Sequence, residues 1–139
     1  MCIRDSIPGV ILGDGIAPRK DPRIVSQIDM APTLLSLMGI SADYPMLGKD
    51  LTRMPADWPG RAIMQYDKNF ALMRGKDVVI LQPERAPEGF IYEDATETLT
   101  PAPQPGAMKD AALGLVLWGS LAYQQGLYRT AQASRLALN

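Results

Sequence analysis

The most regular hydrophobic pattern in the chain lies between Asp29 and Gly39. Ala31, Leu34, Leu35 and Met38 follow the i, i+3, i+4, i+7 spacing that gathers apolar side chains on one helical face. Pro32 falls in the first turn, where a missing N–H costs no hydrogen bond. Asp29 stands ahead of it as a cap, since a carboxylate there accepts from the free N–H groups of the first turn. Gly39 closes the pattern as a residue that takes left-handed dihedrals easily. The spacing predicts a helix bounded by Asp29 and Gly39, with a single apolar face.

Elsewhere the apolar runs are short. Pro8 to Leu12, closed by Gly13-Asp14-Gly15, has the length and glycine boundary of a strand buried on both faces. Residues 16 to 22 and 41 to 60 read as loops broken by prolines. Ala62 to Tyr66 predicts a strand. Phe70 to Arg74 and Val78 to Gln82 flank Gly75-Lys76-Asp77 as a hairpin, and Phe90 to Tyr92 adds a third strand to the cluster. Prolines at 101, 103 and 105 make the tract from Thr98 to Gly106 an extended linker. A final helix is expected from Lys109 to Arg129. Leu113, Val116, Leu117, Leu121 and Leu127 keep near-helical spacing, and Trp118, Tyr123 and Tyr128 add packing surface. A buried strand, a helix, a small antiparallel sheet and a C-terminal helix belong to the α/β class, in an arrangement incomplete by itself. The expected division is a leader over residues 1–6, a domain part over 7–100, a linker over 101–108, a helix over 109–129 and a frayed tail over 130–139.

Composition narrows the chemistry. Apolar residues form 47% of the 139, enough to bury a core. Fourteen basic against 15 acidic residues, interspersed, leave no basic stripe for a phosphate backbone, so nucleic acid is not an expected partner. There is no histidine, hence no imidazole base or ligand, and the single cysteine, Cys2, can form neither an internal disulfide nor a cysteine zinc site. The longest nearly apolar run, Ala111 to Tyr123, is shorter than the roughly 20 residues a bilayer requires. The start, Met1-Cys2-Ile3-Arg4-Asp5-Ser6, lacks the pattern of a signal peptide and looks like a translated adapter, which would put the native sequence from near Ile7.

Each candidate residue has a structural reading beside the chemical one. Gly13-Asp14-Gly15 could line a ligand site, but it is no phosphate loop and reads as a turn. Asp29 reads as a helix cap before a metal ligand, and Thr33 as a structural hydroxyl before a nucleophile, because no base exists to activate it. Asp67-Lys68-Asn69 reads as a polar turn. Glu93, Asp94 and Glu97 are carboxylates of the kind that bind Ca²⁺ or Mg²⁺, at a spacing that matches no loop motif. The eight methionines are scattered and read as core filling. No nucleophile, base and stabilising group come together, so no catalytic or metal-ligating residue is expected here, and substrate-binding residues are not identified.

The stretch Arg23 to Leu51 resembles a known family. "RIVSQIDMAPTLLSLMGI" followed by "GKDL" is similar to the segment near the end of sulfatase-type catalytic domains in the alkaline phosphatase superfamily. The matching positions are Asp29, Pro32, Thr33, Leu34, Leu35, Leu37, Gly39 and Ile40, then Gly48 and Leu51. "FIYED" and "LAYQQGLYR" look most like lipoteichoic-acid-synthase and phosphoglycerol-transferase relatives. The resemblance implies the C-terminal part of an alkaline-phosphatase-like fold, whose threonine or formylglycine nucleophile and Asp-His metal pair lie upstream. It implies a divalent metal, manganese or calcium, in the parent protein and none in this segment. The implied partners are the upstream part of the same chain and a phospholipid or glycan ester. The implied location is the cell membrane, with the catalytic domain outside the cytoplasm. The rival expectations are a stand-alone non-catalytic binding module and another phosphodiesterase of the superfamily.

Overall fold

Five short strands, each able to reach the next through a tight turn, build an antiparallel meander. The computed structural model describes residues 7–41 and 45–129. The strands are β1 (Ala62–Tyr66), β2 (Asn69–Arg74), β3 (Asp77–Leu81), β4 (Glu88–Glu93) and β5 (Thr98–Pro101), and they pair in sequence order. Two-residue turns set the first two registers: Tyr66 pairs with Asn69 across Asp67-Lys68, and Arg74 pairs with Asp77 across Gly75-Lys76. Asp67 and Gly75 both take left-handed dihedrals, as such turns require.

The central strands are buried on both faces, which is why Val78-Val79-Ile80-Leu81 is apolar without alternation. On one face the pairs Ala71–Ile80 and Met73–Val78 form a cluster completed by Ile24, Ala62, Met64, Phe90, Tyr92 and Leu99. On the other, the Leu72–Val79 pair lies under Met108 and Ala112 of α2 (Gly106–Gln125), with Ile63, Leu81, Ala111 and Leu115 around them. Cross-strand contacts of this kind, with the helix laid over them, stabilise the sheet.

The sheet and its helix follow the expected outline, with three corrections at the C-terminal end. Thr98 to Pro101 is β5 and not linker: it is an edge strand, where a residue without an N–H is tolerated. The helix begins at Gly106 instead of Lys109. It ends at Gln125 instead of Arg129, because Gly126 turns left-handed and its N–H caps the Ala122 and Tyr123 carbonyls. The side of the helix that docks carries Met108, Ala112 and Leu115, whereas Leu113, Leu117, Leu121 and Leu127 stay substantially exposed. Small Ala111 and Ala112 let the helix approach the sheet more closely than the leucine side would.

Two corrections concern the N-terminal half. Pro8 to Leu12 is not a strand: the segment pairs with nothing and Leu12 is 89% exposed, because no described strand lies beside it to satisfy its backbone. The helix α1 (Met30–Leu37) forms and reaches a left-handed Gly39, but Ala31, Leu34 and Met38 face outward and only Leu35 of the four is partly covered. Pro32 and Thr33 take the buried side. The methionines divide likewise: Met73 and Met108 fill core, while Met38 and Met46 are exposed. The leader over 1–6 and the tail over 130–139 lie outside the described residues.

If the sheet core carries the stability, the leucines are unequal. Leu72→Ala should cost about 2–5 kcal/mol, while Leu117→Ala should cost less than about 1 kcal/mol. Urea titration of the two variants against the parent chain checks this, and equal losses would contradict the assigned core.

Candidate functional site

The densest polar cluster sits where the N-terminal segment meets β1. A 3₁₀ turn (Gln27–Asp29) leads into α1 and fixes Asp29 at its start. The Asp29 side chain is fully buried. One carboxylate oxygen accepts from the Ser26 N–H at 2.9 Å, and the other from the Lys49 N–H at 2.7 Å. Arg61, also buried, brings its Nη2 within 3.4 Å of the latter oxygen and donates to the Leu47 carbonyl at 2.6 Å. Burial of a carboxylate requires such compensation, and here two backbone donors and a guanidinium share it. Arg61 Nε is enclosed without a hydrogen-bond partner.

Two hydroxyls extend the cluster. Thr33 Oγ1 donates to the Asp29 carbonyl at 2.6 Å and accepts from the Leu51 N–H at 3.0 Å. Ser26 Oγ lies 3.2 Å from the Arg61 carbonyl, to which it donates, and accepts from the Ile63 N–H at 2.8 Å. Glycines allow the close approach. A Cβ on Gly48 would strike the Ile28 carbonyl and Pro32, and one on Gly60 would strike the Ile24 carbonyl. The Ile24–Gly60 bridge and the Arg61 N–H bond to the Ile24 carbonyl then hold this segment beside β1.

Asp29 is therefore a correction in detail. It occupies the cap position, yet its side chain makes no bond to the N–H groups of α1. Its acceptor capacity goes instead to Ser26, Lys49 and Arg61. Thr33 is a structural hydroxyl between two backbone groups. Neither residue is free to act on a substrate, and with its donors placed so, Asp29 does not fit a metal. Among the described residues no three Cys, Asp or Glu side chains come close enough to hold one.

The remaining candidates lie apart. Gly13-Asp14-Gly15 is an exposed turn with Gly15 left-handed. Asp67-Lys68-Asn69 spans the β1–β2 turn. Glu93 ends β4 and pairs with Lys76 at 3.5 Å, and Asp94 and Glu97 lie in the exposed turn to β5. A shallow apolar recess of about 440 Å³ between Phe90, Pro101 and Pro103 has Glu88 as its one charged lining residue. Sequence reasoning missed Arg61 and Ser26. The Ser26-x-x-Asp29 spacing of a capping box could have flagged the second; nothing marks Arg61 except a charge ahead of an apolar strand.

Ion pairs secure the flanking loops. Arg23 forks onto Asp21, with the shortest contact 2.6 Å, and also reaches the carbonyls of Leu51, Met54 and Pro55. The Arg23 hydrogen bonds hold the Asp21 carboxyl down to about 2, from 3.8. Burial of Asp50 opposes its ionisation, but hydrogen bonds from Thr52 and Ser36 outweigh this and its carboxyl is lowered too.

Comparison with known proteins gives the class. The chain matches the crystal structure of a protein in the alkaline phosphatase superfamily from Vibrio parahaemolyticus, at 41% sequence identity and a TM-score of 0.80. The match covers 86% of this chain and 29% of that one. No family model matches. The likeness supports membership of the alkaline phosphatase superfamily, with an alkaline-phosphatase-like fold, and the chain spans less than a third of that protein's length.

Two tests follow from the cluster. Asp29→Ala leaves Arg61 buried without its carboxylate and should cost about 3–5 kcal/mol, while Thr33→Val should cost about 1–3 kcal/mol by orphaning the Leu51 N–H; denaturant unfolding reads both. The lowered carboxyl of Asp21 contributes stability that is present above pH 3.8 and lost as pH falls towards 2, and the lowered carboxyl of Asp50 acts in the same direction. The melting-temperature gap between the parent chain and Asp21→Asn should accordingly narrow across that window.

Proposed function

We propose that this chain is the C-terminal portion of a sulfatase-like enzyme of the superfamily, in the phosphoglycerol-transferase branch, acting on phosphate or sulfate esters in the cell envelope. One observation carries the reading. Several of the positions that resemble the sulfatase-type pattern take part in the buried cluster: Asp29 binds the Lys49 N–H, Thr33 binds the Leu51 N–H, and Gly48 leaves room for the Ile28 carbonyl. A pattern whose residues lock one another belongs to a fold and is not a coincidence of composition. The transferase branch rests on the "FIYED" and "LAYQQGLYR" stretches.

In this reading the chain shapes and supports a catalytic domain whose chemistry lies in other residues of the parent. The reaction is attack of an activated hydroxyl on a phosphate or sulfate ester. The divalent metal, manganese or calcium, is held by upstream ligands, as the sulfatase-type resemblance implies. The working location is the outer side of the cell membrane. No helix among the described residues is long and apolar enough to cross a bilayer.

The genomic reading frame ahead of this segment should encode a threonine or cysteine nucleophile and an Asp-His pair. An intact frame without them would contradict the proposal. With Mn²⁺ or Ca²⁺ added, the 139-residue chain should cleave aryl phosphates and aryl sulfates no faster than buffer does. Metal-dependent turnover by the chain alone would equally contradict it.

A further inference from the structure

The chain holds one Asp-Gly step, Asp14-Gly15, and no Asn-Gly step. An aspartate reacts with its own backbone when the nitrogen of the next residue reaches the carboxyl carbon and closes a five-membered imide. Closure is fastest where that next residue has no side chain to hinder it. It also needs an N–H that is not held in a hydrogen bond and a carboxyl that is not tied to a partner. Asp14 and Gly15 meet all three conditions. Both are exposed, and neither makes a hydrogen bond or an ion pair. A Cβ built on Gly15, at φ 74°, would meet nothing within 4 Å. The turn is closed by a single long bond, from the Ile16 N–H to the Gly13 carbonyl at 3.4 Å. Other aspartates are restrained. Asp21 precedes Pro22, whose nitrogen carries no hydrogen, and Arg23 grips its carboxyl. Asp29 is saturated by Ser26, Lys49 and Arg61. Asp50 is tied to Thr52, and the Leu51 N–H after it is donated to Thr33. Asp57 precedes Trp58, whose N–H is bound to the Pro55 carbonyl, and Asp77 accepts from Gln104.

We infer that Asp14 is a site of spontaneous backbone isomerisation and, through it, a substrate for enzymatic carboxyl methylation. The Gly15 nitrogen bonds to the Asp14 carboxyl carbon, and the amide hydrogen leaves with the carboxyl OH as water. A second water opens the imide. Attack at the side-chain carbonyl restores aspartate. Attack at the α-carbonyl leaves the chain running through the side chain, as isoaspartate, with a free α-carboxylate beside it. Mass is unchanged, and neither oxidant nor reductant takes part. That α-carboxylate is the group an isoaspartyl methyltransferase esterifies: the methyl passes from the sulfonium of S-adenosylmethionine to a carboxylate oxygen, and the thioether departs.

The test ages the 139-residue chain at neutral pH and physiological temperature for several weeks, beside the free peptide of residues 9–18. Electron-transfer mass spectrometry locates isoaspartate, and methyl uptake from S-adenosylmethionine with an isoaspartyl methyltransferase counts it. Isoaspartate should form at position 14 within about fivefold of the peptide's rate, because the turn restrains neither reacting group. Every other aspartate should give less than about a tenth of that amount. Asp14→Glu keeps the charge but enlarges the ring, and should bring methyl uptake down to background. Gly15→Val should lower it by about tenfold. A folded-chain rate below the fivefold limit, or isoaspartate spread evenly over the other aspartates, would overturn the site. Uptake that survives Asp14→Glu would do the same, and isoaspartate that takes up no methyl would overturn its assignment as a methylation substrate.

Discussion

Everything in the N-terminal half depends on the burial of one carboxylate. Asp29 has no contact with solvent, so its oxygens must find donors inside the protein. The donors come from three separate places in the chain: Ser26 just before it, Lys49 in the following loop, and Arg61 at the entry to β1. That single requirement brings together segments up to 32 residues apart. It also explains Gly48 and Gly60, which stand where any side chain would strike a carbonyl of the same segment. The motif that resembles the sulfatase-type pattern is thus a description of this constraint in sequence.

The constraint sets the orientation of α1. Because Asp29 and Thr33 are tied to the 47–51 loop, the leucine side of the helix points outward. The antiparallel sheet has a core of its own, to which this arrangement is joined through Ile24 and Ser26. Its core of Leu72, Val78 and Val79 is closed by α2 on one face and by Ile24 and its neighbours on the other. The chain therefore combines a meander with its own core and a polar knot whose outward side is apolar. The match to the Vibrio parahaemolyticus protein spans 86% of this chain and 29% of that one.

Local signals in the sequence predicted the local structure well. Ala62 to Tyr66 is β1 residue for residue, and the Gly75 turn and the Gly39 stop stand where turn and cap chemistry put them. One failure is local, the stop of α2 at Gly126, and the others are non-local. Periodicity reported that α1 has an apolar face but not that a buried carboxylate would turn it away from the chain. The Pro8 to Leu12 run has strand composition, yet a strand needs a neighbour, and composition does not supply one. The prolines near 101 hid β5, since an edge strand tolerates a residue that an inner strand would not. Arg61 was invisible because its role depends on a partner 32 positions away. The catalytic chemistry could not be read in these residues at all. What was legible was a family likeness, and of its matching positions Asp29, Pro32, Thr33 and Gly48 are structural.

The account stands or falls on whether Asp29 holds the 47–51 loop in solution. Amide hydrogen exchange of the 139-residue chain, followed residue by residue, measures this directly. The Lys49 N–H, though its residue is exposed, should exchange as slowly as the Val79 N–H of the core sheet, and Asp29→Ala should release the first while leaving the second protected. A Lys49 amide that exchanges at the rate of an unprotected loop in the parent chain would contradict it.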